Sequence, residues 1–155
     1  MTPAIETAKR AKITFRIHEY AHDPAAESYG LEAAEKLGLD PGRVFKTLVA
    51  AAGPGDLVVA VLPVSRRLDL KLLAKAVGAK RIAMAEVKLA ERATGYVAGG
   101  VSPLGQKKRL PTVIDATAEG QDAIFVSAGR RGLEIELAPS DLAALTGAAF
   151  APVAK

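Results

Sequence analysis

Two places in this chain hold residue types able to do chemistry. The first is Gly99-Gly100-Val101-Ser102-Pro103-Leu104-Gly105-Gln106-Lys107-Lys108-Arg109-Leu110-Pro111. Adjacent glycines let a ligand come close to backbone N–H groups, and Pro103 and Pro111 stiffen and end the loop. The cations Lys107, Lys108 and Arg109 stand between those prolines. Open amides beside positive charge suit an anionic or carbonyl-bearing ligand. The pattern is not a phosphate-binding P-loop, because Gln106 stands where that motif needs lysine. Read locally, the loop serves equally well as a tight helix-to-strand connection.

The second place is Lys46, within Val44-Phe45-Lys46-Thr47-Leu48-Val49. Strand alternation puts Lys46 with Val44 and Leu48 on one face and Phe45, Thr47 and Val49 on the other. Lys46 is then either an edge lysine that snorkels to water or a fixed cation in a cleft, able to bind phosphate or polarise a carbonyl.

The other candidates are weaker. Lys107, Lys108 and Arg109 form a solvated cluster or a guide for a phosphate backbone, and Arg66-Arg67 and Arg130-Arg131 add basic pairs in turns. Ser127, with Gly129 behind it, ends a strand as a turn serine or a ligand donor. Asp115 reads as a turn former. Glu134 and Glu136 share a strand face and are expected to be exposed. No Gly-x-Ser-x-Gly elbow surrounds any serine, which argues against a Ser-His-Asp hydrolase. The chain has no cysteine, which excludes thiolate nucleophiles and disulfides. His18 and His22 are the only histidines, so neither a metal site nor a bound cofactor is expected. One of the two is expected to be half-buried and the other exposed.

The elements that must position these groups follow from composition and pattern. At 155 residues, 50% hydrophobic, the chain is long enough for one cored domain, expected over 1–155. Aromatics are only 5% and Trp is absent, so Ala, Val, Leu and Ile must fill the core. The net charge of +4 leans toward a polyanionic partner without demanding one. No apolar run approaches the about 20 residues that span a membrane, and the first residues lack a signal-peptide core. A cytoplasmic protein is expected, with neither a membrane nor DNA as partner.

The pattern predicts helices over Ala4–Ala11, Tyr29–Leu37, Asp69–Val77, Glu86–Ala93 and from Pro139 through Leu145. Strands are predicted over Ile13–Tyr20, Lys80–Met84 and Thr112–Asp115. Two hairpins are predicted, Val44–Ala51 with Leu57–Leu62, and Ala123–Ser127 with Leu133–Leu137. Interspersed helices and hairpins indicate an α+β fold with a mixed, mostly antiparallel curved sheet or barrel flanked by helices.

Together these motifs closely resemble a known family. The matching residues are Lys46 in Val-Phe-Lys-Thr-Leu, Leu68-Asp69-Leu70-Lys71, Thr94-Gly95-Tyr96, and Gly99-Gly100-Val101-Ser102-Pro103-Leu104-Gly105. Leu110-Pro111-Thr112-Val113-Ile114-Asp115 and Val126-Ser127-Ala128-Gly129-Arg130-Arg131-Gly132-Leu133-Glu134-Ile135 match as well. The chain resembles the YbaK-type Cys-tRNA(Pro) deacylases, trans-editing relatives of the editing domain of prolyl-tRNA synthetase, nearly end to end.

The resemblance implies that fold and the clearance of mischarged tRNA(Pro), with prolyl-tRNA synthetase as a possible partner. It implies that Lys46 is the key pocket cation, that the backbone of Gly99, Gly100, Val101, Ser102 and Pro103 lines the pocket, and that Tyr20, Tyr29, Thr47, Ser127 and Gly129 stand at pocket positions. Glu134 stands where close relatives often carry aspartate. With no protein nucleophile in view, positioning, electrostatics and the substrate's own thiol must do the work. The alternatives are a deacylase preferring Ala-tRNA(Pro) or Ser-tRNA, and a non-catalytic module that binds the acceptor end or a synthetase.

Overall fold

The computed structural model describes residues 1–155. In chain order the elements are α1 Pro3–Ala11, β1 Phe15–Glu19, α2 Tyr29–Leu37, β2 Phe45–Ala51, β3 Leu57–Pro63, α3 Leu70–Val77 and β4 Ala83–Met84. They continue with α4 Val87–Thr94, β5 Thr112–Asp115, β6 Ile124–Arg130, β7 Leu133–Leu137, α5 Pro139–Thr146 and β8 Ala149–Ala151. The helices start where short polar side chains satisfy free N–H groups: the side chains of Thr2, Ser28 and Asp69 accept from the first turns of α1, α2 and α3. Gly38, Gly78, Gly95 and Gly147 end four of them.

The strands form two open sheets, in the orders β1-β7-β6 and β4-β2-β3-β5-β8. All pairings are antiparallel except β3 with β5 and β5 with β8. This is the expected mixed, mostly antiparallel α+β architecture, without closure into a barrel. A single parallel bridge, Val44 to Phe125, joins the sheets at the start of β2. Beyond that bridge β2 and β6 are not paired, and a cleft opens between them.

The main core lies between the sheets. It gathers Phe45, Val59, Val61, Ile114, Val126, Ile135 and Leu137, with Ala4 and Ala8 of α1 against them. β3 is buried along its whole length, because α3 covers its other face through Leu73, packed on Ala60 and Leu62. Ala33 and Ala34 of α2 cover the seam at Val44 and Phe125. No helix is long and apolar enough to cross a membrane.

Three sequence expectations change. The strand predicted over Lys80–Met84 shrinks to two residues. The second hairpin carries a register slip between Ser127 and Arg130, so β6 runs on to Arg130 and the turn tightens to Arg131-Gly132. β8 is invisible in the pattern, because a three-residue strand has too little periodicity to read.

Asp115 is more than a turn former. It is 3% exposed and accepts from Thr117 Oγ1 at 2.6 Å, Val153 N at 2.9 Å and Ala154 N at 3.1 Å. Burial pushes its carboxyl pKa up, but those donors outweigh burial and hold it below the usual range. Asp115 therefore clips the C-terminal segment to β5. Asp115→Ala is expected to cost about 2 kcal/mol, since it orphans buried N–H groups. Urea unfolding checks this, and an unchanged midpoint would refute the clip.

Candidate active site

The cleft between β2 and β6 has a volume of about 330 Å³. One wall is Phe45, Lys46, Thr47 and Leu48 of β2; the opposite side holds Ser127 of β6 and Glu134 of β7, and Tyr20, Tyr29, Gly99 and Val101 close it. A larger groove of about 430 Å³, lined by Asp56, Lys80 and Arg81 among others, contains no buried unpartnered polar side chain.

Lys46 does not sort by simple alternation. Lys46, Thr47 and Leu48 all line the cleft, because β2 borders it along its unpaired stretch. The Lys46 Nζ donates to the Arg66 carbonyl at 2.6 Å, which fixes the direction of the side chain. Burial, and secondarily the nearby Arg67 guanidinium, hold its ammonium below the usual lysine range. The Thr47 hydroxyl is buried with no hydrogen-bond partner. Ser127 Oγ accepts from Gly129 N at 3.1 Å.

Glu134 overturns its expectation of exposure. It is 6% exposed, whereas Glu136 pairs with His18 at 2.9 Å. β7 is the central strand of its sheet, so Glu134 lies opposite His18 on one side and Ser127 on the other, under the cleft wall. Burial pushes its carboxyl up to about 8. Burial first, and then Glu134, also raise the Tyr20 phenol.

The glycine loop divides. Gly99 and Val101 line the cleft, while Gly100, Ser102 and Pro103 do not. Gly99 has φ +86°, and a Cβ there would lie 2.6 Å from the Tyr29 ring. A Cβ on Gly100 would lie 2.8 Å from Arg130 Cα, so the second glycine serves close packing of two backbones. Ser102 is fully buried, and its Oγ accepts from Leu104 N at 3.2 Å. Pro103 faces a different groove. Gly129 also stands outside the cleft, against Tyr96 and Thr2. The expectation that the whole loop backbone lines the pocket is thus corrected to Gly99 and Val101.

Lys108 and Arg109 line that other groove with Thr7 of α1 and Leu145 and Thr146 of α5. None of these lines the cleft. Lys107 is exposed, and its backbone N–H caps α4 at Thr94 O.

Two residues escape a reading of the sequence. Tyr96 is 5% exposed and donates its hydroxyl to Leu104 O at 2.6 Å, bracing the loop from inside, and burial pushes its phenol to about 12. A lone tyrosine beside a glycine loop, in a chain poor in aromatics, is the only signal the sequence offers for it. Arg131 stacks over Tyr29 at 3.9 Å and donates to Ala98 O at 3.1 Å. It ties the Tyr29 wall to the Gly99 wall. Its partners lie 33 residues or more away in sequence, so no local pattern marks it.

No histidine lines the cleft. His18 and His22 are both partly exposed and both held by glutamates, His22 to Glu32 at 2.7 Å. The hydroxyls of the cleft therefore lack an imidazole base. What the cleft offers is a fixed cation, loop backbone, the acids Glu27 and Glu134, and one unpartnered hydroxyl, that of Thr47.

The comparisons with known proteins agree with this geometry. The family model for the aminoacyl-tRNA editing domain matches residues 23–145. A protein of Enterococcus faecalis, named as a candidate Cys-tRNA(Pro)/Cys-tRNA(Cys) deacylase, EbsC, is 43% identical over 98% of this chain and 92% of its own length. A solved structure described as a candidate trans-editing enzyme for prolyl-tRNA synthetase superposes with TM-score 0.82 and 26% identity, covering 100% of this chain and 99% of that one. A solved hypothetical protein superposes with TM-score 0.88 at 25% identity, over 99% of this chain and 100% of that one.

Proposed function

Because the chain belongs to the aminoacyl-tRNA editing domain family, we propose that it is an aminoacyl-tRNA deacylase that clears mischarged Cys-tRNA(Pro). The observation that carries this reading is the cleft itself. Lys46 and Gly99 line it together, and no nucleophile–base couple accompanies them.

An ester carbonyl placed between Lys46 and the Gly99 loop has a cation to stabilise the oxyanion as it develops. The attacking group then comes from the substrate. The cysteinyl thiol loses its proton, its sulfur bonds to the ester carbon, and the bond to the ribose oxygen breaks. The ribose oxygen takes up a proton, and the amino acid leaves as a cyclic thioester. Every bond formed is matched by one broken, and the protein supplies position and charge.

The thiol requirement also gives selectivity that size alone cannot. One methylene in an apolar pocket is worth only about 1–3 kcal/mol. The name of the Enterococcus relative pairs two cysteinyl-tRNAs, which supports recognition of the cysteinyl ester ahead of the tRNA body. A partner that reads tRNA(Pro), such as prolyl-tRNA synthetase, then supplies identity.

The test is deacylation of Cys-tRNA(Pro), Ala-tRNA(Pro) and Ser-tRNA side by side. The expected result is cleavage of the cysteinyl ester, with the alanyl and seryl esters slower by about 10²-fold or more. Preference for alanine would overturn substrate-thiol assistance.

A further inference from the structure

The chain carries its arginines and lysines free of carboxylates: the ion pairs of the fold are the two histidine–glutamate contacts. Three basic clusters are thus available to an anion, and the structure sorts them. Lys108 and Arg109 face the groove between α1 and α5, which shares no lining residue with the cleft. The other two are tied by their backbones to the two walls of the cleft: the Arg66 carbonyl bonds Lys46 of β2, and Arg130 packs on Gly100, next to Gly99.

Arg66 and Arg67 occupy the turn after β3. That turn is pinned: the Arg66 carbonyl takes the Lys46 Nζ at 2.6 Å, and Arg67 exchanges backbone hydrogen bonds with Lys155 at 3.1 and 2.8 Å. Arg130 ends β6, with its backbone pressed on Gly100. The side chains of Arg66, Arg67 and Arg130 are exposed. None of the three donates a side-chain hydrogen bond within the protein, whereas Arg131 is committed to Tyr29 and Ala98. Arg67 is also close enough to lower the proton affinity of Lys46, a residue of the cleft wall.

We propose that Arg66, Arg67 and Arg130 form the phosphate-binding rim of the cleft, holding the phosphates that lead to the terminal nucleoside of the single-stranded RNA 3′ end, and that Lys107, Lys108 and Arg109 do not. This rests on the deacylase reading. A single-stranded end carries a phosphate at each nucleotide step, and exposed, unpaired cations on pinned backbone beside a nucleoside-sized cleft are what such an end needs. The rim replaces the lysine cluster as the RNA guide expected from sequence.

The test separates the two claims. Binding of an uncharged RNA minihelix ending in CCA is followed by anisotropy from low to moderate salt, for wild type, for Arg66→Gln/Arg67→Gln/Arg130→Gln and for Lys107→Gln/Lys108→Gln/Arg109→Gln. The arginine variant is expected to bind about tenfold or more weakly at low salt, with a log–log salt slope smaller by about 0.7 for each phosphate it no longer neutralises. The lysine-cluster variant is expected to match wild type. The reverse pattern, or equal slopes in all three proteins, would overturn the rim.

Deacylation of 3′-cysteinyl-adenosine, which has no phosphate, should fall much less in the arginine variant than deacylation of Cys-tRNA(Pro). An equal loss on both substrates would overturn the docking role. Failure of wild type to cleave either ester would fall on the deacylase reading and leave the minihelix comparison to decide the rim.

Discussion

Lys46→Ala lowers kcat/KM for Cys-tRNA(Pro) deacylation by about 10²–10³-fold, the range seen when one donor to a developing oxyanion is removed. Two structural facts set that size. The ammonium is partly desolvated, so its interaction with a charge forming in the cleft is stronger than in water. It is also directed by the Arg66 carbonyl at 2.6 Å, so little reorganisation is needed as charge develops. The turn that loses this donor is exposed, and water can replace the bond. The stability cost is therefore expected to stay under about 1 kcal/mol, and a melting curve beside the kinetics separates lost chemistry from lost fold. Wild-type turnover in a folded Lys46→Ala protein would remove Lys46 from the mechanism.

The second large effect is on stability against pH, and it comes from Glu134. An unfolded glutamate titrates near 4.5, and in the fold burial carries this carboxyl to about 8. Between those values the folded protein holds a proton that the unfolded chain has released, so stability falls as pH rises. The loss is about 1.4 kcal/mol for each pH unit, on the order of 5 kcal/mol across the window, and it levels off above pH 8. Glu134→Gln keeps the shape and cannot ionise. Its urea midpoint should stay flat between pH 5 and pH 8, and at pH 8 it should be more stable than wild type by a similar amount. Parallel pH profiles for the two proteins would show that Glu134 is solvated or paired.

The same burial bears on the chemistry. A carboxyl held neutral near pH 7 adds no negative charge of its own beside the Lys46 ammonium, and Glu27 is the other acid that lines the cleft.

Much of the scaffold is legible in the chain. The β2–β3 hairpin, α2 ending at Gly38 and α3 ending at Gly78 follow from local periodicity and stop signals, and they appear within a residue or two of expectation. Lys46, Gly99, Val101 and Ser127 stand out in the sequence, the family resemblance adds Tyr20, Tyr29 and Thr47, and all seven line one cleft. Gly100, Ser102, Pro103 and Gly129 do not line it. A loop motif records which residues travel together, but it does not record which of them turn inward.

Composition and spacing alone determined a cored α+β chain with no thiolate nucleophile and with a lysine set among the apolar residues of a strand. These are local or whole-chain properties, and the amino-acid types contain them. Tertiary structure alone decided which face of β7 was covered, and hence that Glu134 is a buried acid. It alone decided that Arg131 clasps Tyr29 to the loop, and that Lys108 and Arg109 face a groove apart from the cleft. The reason is physical. Burial and electrostatic coupling depend on distances between segments far apart in sequence, and those distances exist only after the two sheets have met at Val44 and Phe125.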